Sequence, residues 1–369
     1  MPDGNLRRLV HEGVSPWLNG FHRGLLRSGR LVDLVTRGLR GVTTRPDLLA
    51  AALAGDASYQ GQLARLAARG SAVDEALRAL RDLDVRLACD GLAATYRATG
   101  HREGLVSVDL DPRLAHDAAA TVAEAVRVRA AVARPNALVK VPATAAGLAA
   151  IRECTGRGIG VHVTEIYGVG RYREVVDAYL TGLERARRAG RPLGDITSVA
   201  SFPVHRIQAE VDALLGASNA PLAGDLRGEA ALAVARVLYG AYDEELGGAR
   251  WSALAAAGAR PQRLMWTVDG PYAPEQARYA ARLVGWHTAV ALPVRALAAA
   301  DRGERPRGDT LDGRLDAGLG VLDAVLRTGL RCESVARTLA EHGEKHRVRA
   351  WEALRAAVAL RLRAPAGGR

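Results

Sequence analysis

The chain has 369 residues, of which 49% are hydrophobic, 25% charged and only 4% aromatic, an ordinary globular composition that fits one large domain or two medium ones. Its net charge is +11, yet the arginines are spread through nearly every segment, often a turn away from Asp or Glu. With no RNP-like aromatic motif or compact basic block, nucleic acid is not expected as a partner. No stretch of about 18 uncharged apolar residues occurs, and Met1-Pro2-Asp3-Gly4-Asn5 lacks a basic and then apolar leader, so neither membrane spanning nor secretion is expected and the cytoplasm is the expected address.

Short apolar runs alternate with helical periodicity along the chain. A weak strand at 16–18 and a clearer one at 39–43 precede a helix at 72–98, then a strand at 105–110 and a helix at 115–131. Strands at 138–141 and 160–164 come next, followed by a helix at 171–189, a strand at 197–201 and helices at 206–215 and 228–245. Strands at 264–268 and 287–292 complete the set. Residues 301–308 and 364–369 look loose, and 310–362 reads as two helical runs. No G-x-G-x-x-G opens a helix after a first strand, so this alternation favours a closed (β/α)8 barrel over an open doubly wound sheet. The expected organisation is one α/β domain over 1–369, with helices in 310–362 covering the barrel.

Cys89, Cys154 and Cys332 are far apart and form no C-x-x-C, so no disulfide framework or zinc site is indicated. His342 and His346 have metal-like spacing, but the residues between them do not make H-E-x-x-H, and no metal or cofactor is expected. Lysine is the informative residue, because Lys140 and Lys345 are the only two in an arginine-rich chain. Arginine stays charged and supplies no neutral amine, so a retained lysine asks for a reason. Lys345 lies in Glu341-His342-Gly343-Glu344-Lys345-His346, expected to be a solvated turn in which Gly343 breaks the helix. Lys140 lies in Ala137-Leu138-Val139-Lys140-Val141-Pro142-Ala143-Thr144, an apolar run ended by proline. Burial there favours the neutral amine that attacks carbonyls, so Schiff-base chemistry is expected, with a structural lysine–carboxylate pair as the alternative.

Five blocks then stand in order: Val106-Ser107-Val108-Asp109-Leu110-Asp111-Pro112, Val139-Lys140-Val141-Pro142-Ala143-Thr144-Ala145-Ala146-Gly147, Val161-His162-Val163-Thr164, Ser198-Val199-Ala200-Ser201-Phe202 and Pro261-Gln262-Arg263-Leu264-Met265-Trp266. Together they resemble the transaldolase family, from about Trp17 to Leu362. The resemblance implies a class I aldolase barrel in which Lys140 forms a Schiff base with a ketose phosphate and a dihydroxyacetone unit passes to an aldose phosphate. In that scheme Thr164 would position the water of carbinolamine chemistry, Ser201 would line the donor pocket and Arg206 would anchor the substrate phosphate.

Several positions depart from the family's pattern. Its Trp-x-Asp reads Trp17-Leu18-Asn19, and an amide takes no proton at neutral pH. Arg45 stands in Gly41-Val42-Thr43-Thr44-Arg45-Pro46 where the family has an asparagine, and Asp109 is one methylene shorter than the family's glutamate. Glu165 after Thr164 adds a carboxylate able to take over proton transfer, and His162 replaces an asparagine. In Trp266-Thr267-Val268-Asp269-Gly270-Pro271-Tyr272, Val268 and Tyr272 replace a serine and a lysine that help hold phosphate, which weakens phosphate binding; His205 and Asp269 are adjacent to the site by motif position.

The expectation is therefore a repurposed lysine aldolase acting on a modified carbonyl substrate in specialised metabolism. An ordinary transaldolase and a non-catalytic sugar-phosphate-binding protein are the alternatives. The candidate catalytic set is Lys140, Asp109, Thr164, Asn19 and Glu165, and the binding set is Arg45, Ser201, Arg206, His162 and Asp269. Arg45 would pair with a substrate carboxylate, or else with Asp47, Asp109 or Glu165. The expected partner is a small carbonyl or sugar substrate, with a homodimer as the assembly to test.

Overall fold

A computed structural model describes residues 4–218, 220–269 and 274–363. Tyr272 and the tail 364–369, both singled out above, lie outside these described residues. Eight parallel strands close into one barrel in chain order: β1 Val14–Phe21, β2 Gly41–Thr44, β3 Leu105–Asp109, β4 Ala137–Pro142, β5 Val161–Thr164, β6 Ser198–Phe202, β7 Arg263–Thr267 and β8 Thr288–Leu292. Helices alternate with them and two long helices follow, so the chain is a (β/α)8 barrel with extra terminal helices.

The two-residue period of a strand sorts its side chains into two cores. Val42, Val106, Val108, Val139, Val141, Val161, Val163, Phe202 and Trp266 face outward and pack with the helices in one large cluster. Trp17, Leu105, Leu138, Val199, Met265, Ala289 and Ala291 form a separate cluster in the lumen. Each such fully buried large side chain contributes about 1.5–3 kcal/mol. Asn19, Ser107, Lys140, Ser201 and Thr267, each two places further along its strand, therefore sit above this apolar plug, toward the carboxyl ends. Pairing places Asp109 beside Lys140, Lys140 beside His162 and Pro142 beside Thr164.

The turn after β4 shows why its sequence block is so specific. The Thr144 side chain accepts the Gly147 N–H at 2.9 Å and donates to the Ala115 carbonyl at 2.6 Å, starting the helix Ala145–Gly156. A Cβ on Gly147 would lie 1.9 Å from the Pro142 carbonyl oxygen, so only glycine lets the helix begin this close to the strand that carries Lys140.

Three sequence expectations change. The first strand is the longest of the eight rather than a weak three-residue run; Pro16, which supplies no ladder N–H, masks it. The helix expected at 72–98 is two, Val73–Gly91 and Ala93–Ala98, interrupted at Leu92. Residues 341–346 are not a turn, because they lie inside the continuous helix Cys332–Arg363, where Lys345 is exposed as expected. Gly343 marks a close approach instead of a break: a Cβ there would lie 2.0 Å from Glu165 Oε2 and 2.7 Å from the Tyr167 hydroxyl. Gly343→Ala must displace the Glu165 carboxylate and the Tyr167 hydroxyl, both side-chain tips, against a gain in helix propensity of about 1 kcal/mol, so stability should change by no more than about 1 kcal/mol, checked by urea unfolding; a larger loss would show that neither tip gives way.

The helix Leu315–Arg327 precedes this last helix, whose 32 residues span about 48 Å. Its far half is held by Trp351, Leu354 and Val358, which pack on Leu49, Leu53, Tyr59, Leu77 and Leu80 in a core of their own. That docking carries His346, Arg347 and Ala350 over the carboxyl ends of the strands.

Candidate active site

The carboxyl ends of the strands surround a cavity of about 150 Å³ lined by all ten of the residues chosen from sequence, from Asn19 on β1 to Asp269 after β7. Lys140 is its centre. The Nζ donates to the Thr44 carbonyl oxygen at 2.6 Å and to both Asp109 carboxylate oxygens at 3.1 and 3.2 Å. The side chain is 13% exposed. Burial lowers the Lys140 pKa from the ordinary lysine value, the Asp109 charge opposes that shift, and Arg45 adds to it more weakly.

Asp109 is fixed from three directions. Thr44 donates its hydroxyl to Oδ2 at 2.7 Å and accepts the Asp109 N–H at 3.0 Å, while buried Arg81 donates to the Asp109 carbonyl at 3.2 Å. Arg81 is itself held by Asp82 and Glu124. The shorter acid thus reaches the amine directly, so it can exchange a proton with Nζ without an intervening water.

Asn19 is buried, and its Nδ2 donates to the Val268 carbonyl at 2.9 Å, which leaves the amide oxygen as the acceptor. Asn19→Asp would set a carboxylate against that carbonyl oxygen. The charged form is disfavoured there, so the new acid's folded-state pKa rises above its unfolded value of about 3.9. The variant is then relatively most stable below that value, where a protonated acid donates to Val268, and loses stability as pH rises through the folded pKa. We expect a loss of about 1–3 kcal/mol at neutral pH and a smaller one in acid, read by urea unfolding. Wild-type stability at neutral pH would show that Val268 does not hold this side chain.

The cations expected to meet substrate have partners within the chain. Arg45 pairs with Asp47 through Nε and Nη2 at 3.1 and 2.5 Å, one of the salt bridges expected for it. Arg206, on the helix Val204–Gly216 that follows β6, pairs with Asp269 at 3.3 and 2.5 Å instead of presenting a bare phosphate anchor. His205 Nε2 lies 2.7 Å from the same carboxylate. Burial alone would raise the Asp269 pKa, but His205 and Arg206 override it and hold the acid well below the usual carboxylate range.

Ser201 is buried and donates to the Val163 carbonyl at 3.0 Å. Thr164 meets Arg347 Nη1 at 3.5 Å. Glu165 has a φ of 62° and accepts from the Tyr167 hydroxyl at 2.8 Å, with Arg347 Nε 3.6 Å from its other oxygen. His162 is fully enclosed, meets Ser107 Oγ at 2.8 Å and stands edge-on to Trp17. Burial first and Lys140 second push its pKa well below the ordinary histidine value. That environment favours the neutral imidazole, whose Nε2 is buried without a hydrogen-bond partner. Sequence reasoning did not select Thr44, Arg81 or Arg347. Thr44 stood inside a quoted block, whereas nothing local marks Arg347.

Among the described residues no group of three or more His, Cys, Asp or Glu could hold a metal ion, and no helix is long and apolar enough to cross a membrane. A lysine set against a carboxylate at the carboxyl ends of eight parallel strands places the chain among the (β/α)8-barrel enzymes. The family model for transaldolase/fructose-6-phosphate aldolase matches residues 17–358. The chain is 46% identical over 363 residues to Transaldolase 1 of Streptomyces coelicolor, covering 97% of this chain and 95% of that protein. It is 45% identical over 363 residues to the transaldolase of Thermobifida fusca (97% and 98% covered) and 42% over 354 residues to that of Mycolicibacterium smegmatis (95% and 95%). The chain belongs to the transaldolase/fructose-6-phosphate aldolase family and is an enzyme of the transferase/aldolase kind.

Proposed function

We propose that this protein is a transaldolase-like enzyme that forms a Schiff base between Lys140 and a ketose-type carbonyl compound, and that its substrate differs from the ordinary sugar phosphates. The observation that carries the reading is the contact of Lys140 Nζ with Asp109, 3.1 Å apart in a largely buried cavity at the strand ends. Neutral Lys140 attacks the carbonyl carbon, the nitrogen's proton passes through Asp109 to the new oxygen, and the carbinolamine loses water to give the imine. Thr164 and Ser201 line the cavity where that carbinolamine stands. Asn19 cannot take the hydroxyl proton released in carbon–carbon cleavage, and Glu165, in the same cavity, is the carboxylate assigned that step.

Conversion of ordinary sugar phosphates is the second reading, favoured by identity to curated transaldolases along nearly the whole chain. The test is borohydride reduction with fructose 6-phosphate, dihydroxyacetone and pyruvate, followed by peptide mass analysis. An adduct on Lys140 is expected, and its identity reports the donor; an unmodified Lys140 with every carbonyl compound would overturn the Schiff-base reading.

A further inference from the structure

Arg347 belongs to the terminal helix Cys332–Arg363, yet its side chain lines the lysine-centred cavity. It stands one turn after Gly343, where the helix closes on Glu165 and Tyr167, and one turn before Trp351, which anchors the helix in its own core. Residues four apart share a helix face, so the docking that seats Gly343 and Trp351 also aims Arg347 at the strand ends.

Two buried arginines that hold this fold spend every nitrogen. Arg81 gives its three to Asp82, Glu124 and the Asp109 carbonyl, and Arg23 gives its three to Asp84, Gln62 and the Ser58 carbonyl. Arg347 does not. Its Nη1 reaches Thr164 Oγ1 only at 3.5 Å, its Nε is buried without a partner among the described residues, and Glu165 Oε1 at 3.6 Å is too far to accept a hydrogen bond. Arg86 and Arg152 also bury an unpartnered Nε, but neither lines the cavity. Leaving such a donor unsatisfied costs about 1–3 kcal/mol, which a ligand oxygen brought to it would recover.

A second guanidinium is close. Arg206 gives Nε and Nη2 to Asp269 and keeps Nη1 outside that pair. Tyr167 and Glu165, which lie against Arg347, are also near enough to act electrostatically on Arg206. A carboxylate has two oxygens, which one guanidinium fork fills. A phosphate ester has three acceptor oxygens and about −1.5 to −2 charge at neutral pH, enough for donors from both arginines.

We propose that Arg347 is a substrate-binding residue that, with Arg206 Nη1, receives a phosphate ester of the carbonyl substrate. The link to Lys140 rests on the function proposed above. The substrate's difference from the ordinary sugar phosphates then lies in the rest of its skeleton.

The test titrates wild type, Arg347→Met and Arg347→Lys with inorganic phosphate and with acetate by calorimetry, and compares borohydride trapping of fructose 6-phosphate and fructose at equal concentration. Wild type should bind phosphate more tightly than acetate, and Arg347→Met should bind phosphate at least about tenfold more weakly. Arg347→Lys keeps the charge without the fork and should fall between them. The ratio of fructose 6-phosphate to fructose trapping should drop about tenfold in Arg347→Met. Glu165 is assigned to bond cleavage, after the imine has formed, so an arginine that only supported Glu165 or the helix would leave that ratio unchanged. An unchanged ratio, equal phosphate affinity in wild type and variants, no phosphate binding by wild type at millimolar concentration, or Arg347-dependent binding of acetate alone would overturn the proposal. If wild-type Lys140 traps neither sugar, the Schiff-base reading falls while the phosphate titration still decides the role of Arg347. If Arg347→Met does not fold, Arg347→Lys against wild type decides.

Discussion

Lys140→Met should abolish the borohydride adduct and lower turnover by about 10⁴-fold or more, the scale on which enzymes lose activity when a covalent nucleophile is removed. Methionine keeps most of the length and volume of the lysine stem, so packing above the lumen plug is largely preserved. It removes the amine that donates to Thr44 and Asp109 and leaves that carboxylate with the Thr44 hydroxyl and its own backbone contacts. Circular dichroism and a urea midpoint establish that the variant is folded; adduct mass and turnover then measure the chemistry. Lys140→Arg gives a complementary result. A guanidinium still pairs with Asp109 yet cannot attack a carbonyl at neutral pH, so activity should be lost with the charge retained. Substantial turnover in either folded variant would move the chemistry to another group.

The barrel is legible because most strands are short apolar runs set between helical stretches, and because nothing but alternation of strands and helices has to be recognised. Pro16 hid the extent of β1 for a local reason: a proline inside an apolar run argues against a central strand, yet the strand tolerates it here. Gly343 misled for a distant one. A glycine in a helical pattern signals a break when only neighbours in sequence are considered, whereas this one lies inside the helix with Glu165 and Tyr167, far away along the chain, closing over it.

The site divides along the same line. Lys140 stood out by composition, and Asp109 by its place at the end of the preceding strand, since consecutive strands of a barrel are neighbours. What sequence could not show is which charges neutralise which. Arg206 looks like a bare anion anchor until Asp269, from the loop after the next strand, is found across it. Arg45 looks like a free carboxylate clamp until Asp47 curls back upon it. Arg347 arrives on a helix packed through Trp351 and Leu354 on the other side of the mouth, and no pattern near Thr164 or Glu165 announces it. Chemistry-bearing residue types were readable, and their electrostatic state was not.

Asp109→Asn separates the two things this carboxylate does. Its negative charge is the largest influence opposing the burial that lowers the Lys140 pKa. Removing it lets that pKa fall further, so neutral amine is present at lower pH and the acidic limb of the trapping rate should shift toward acid. Availability of the nucleophile therefore increases. The plateau rate should nevertheless drop by about 10²–10⁴-fold, because the amide cannot carry the proton from nitrogen to the carbinolamine oxygen or assist water in leaving. Asp109→Glu restores a carboxylate with a longer reach and should recover part of the plateau rate while returning the acidic limb toward its wild-type position. The measurement is the rate of borohydride trapping against pH for the three proteins. A shifted limb with an unchanged plateau rate would leave Asp109 with its charge effect alone and assign the proton transfer elsewhere in the cavity.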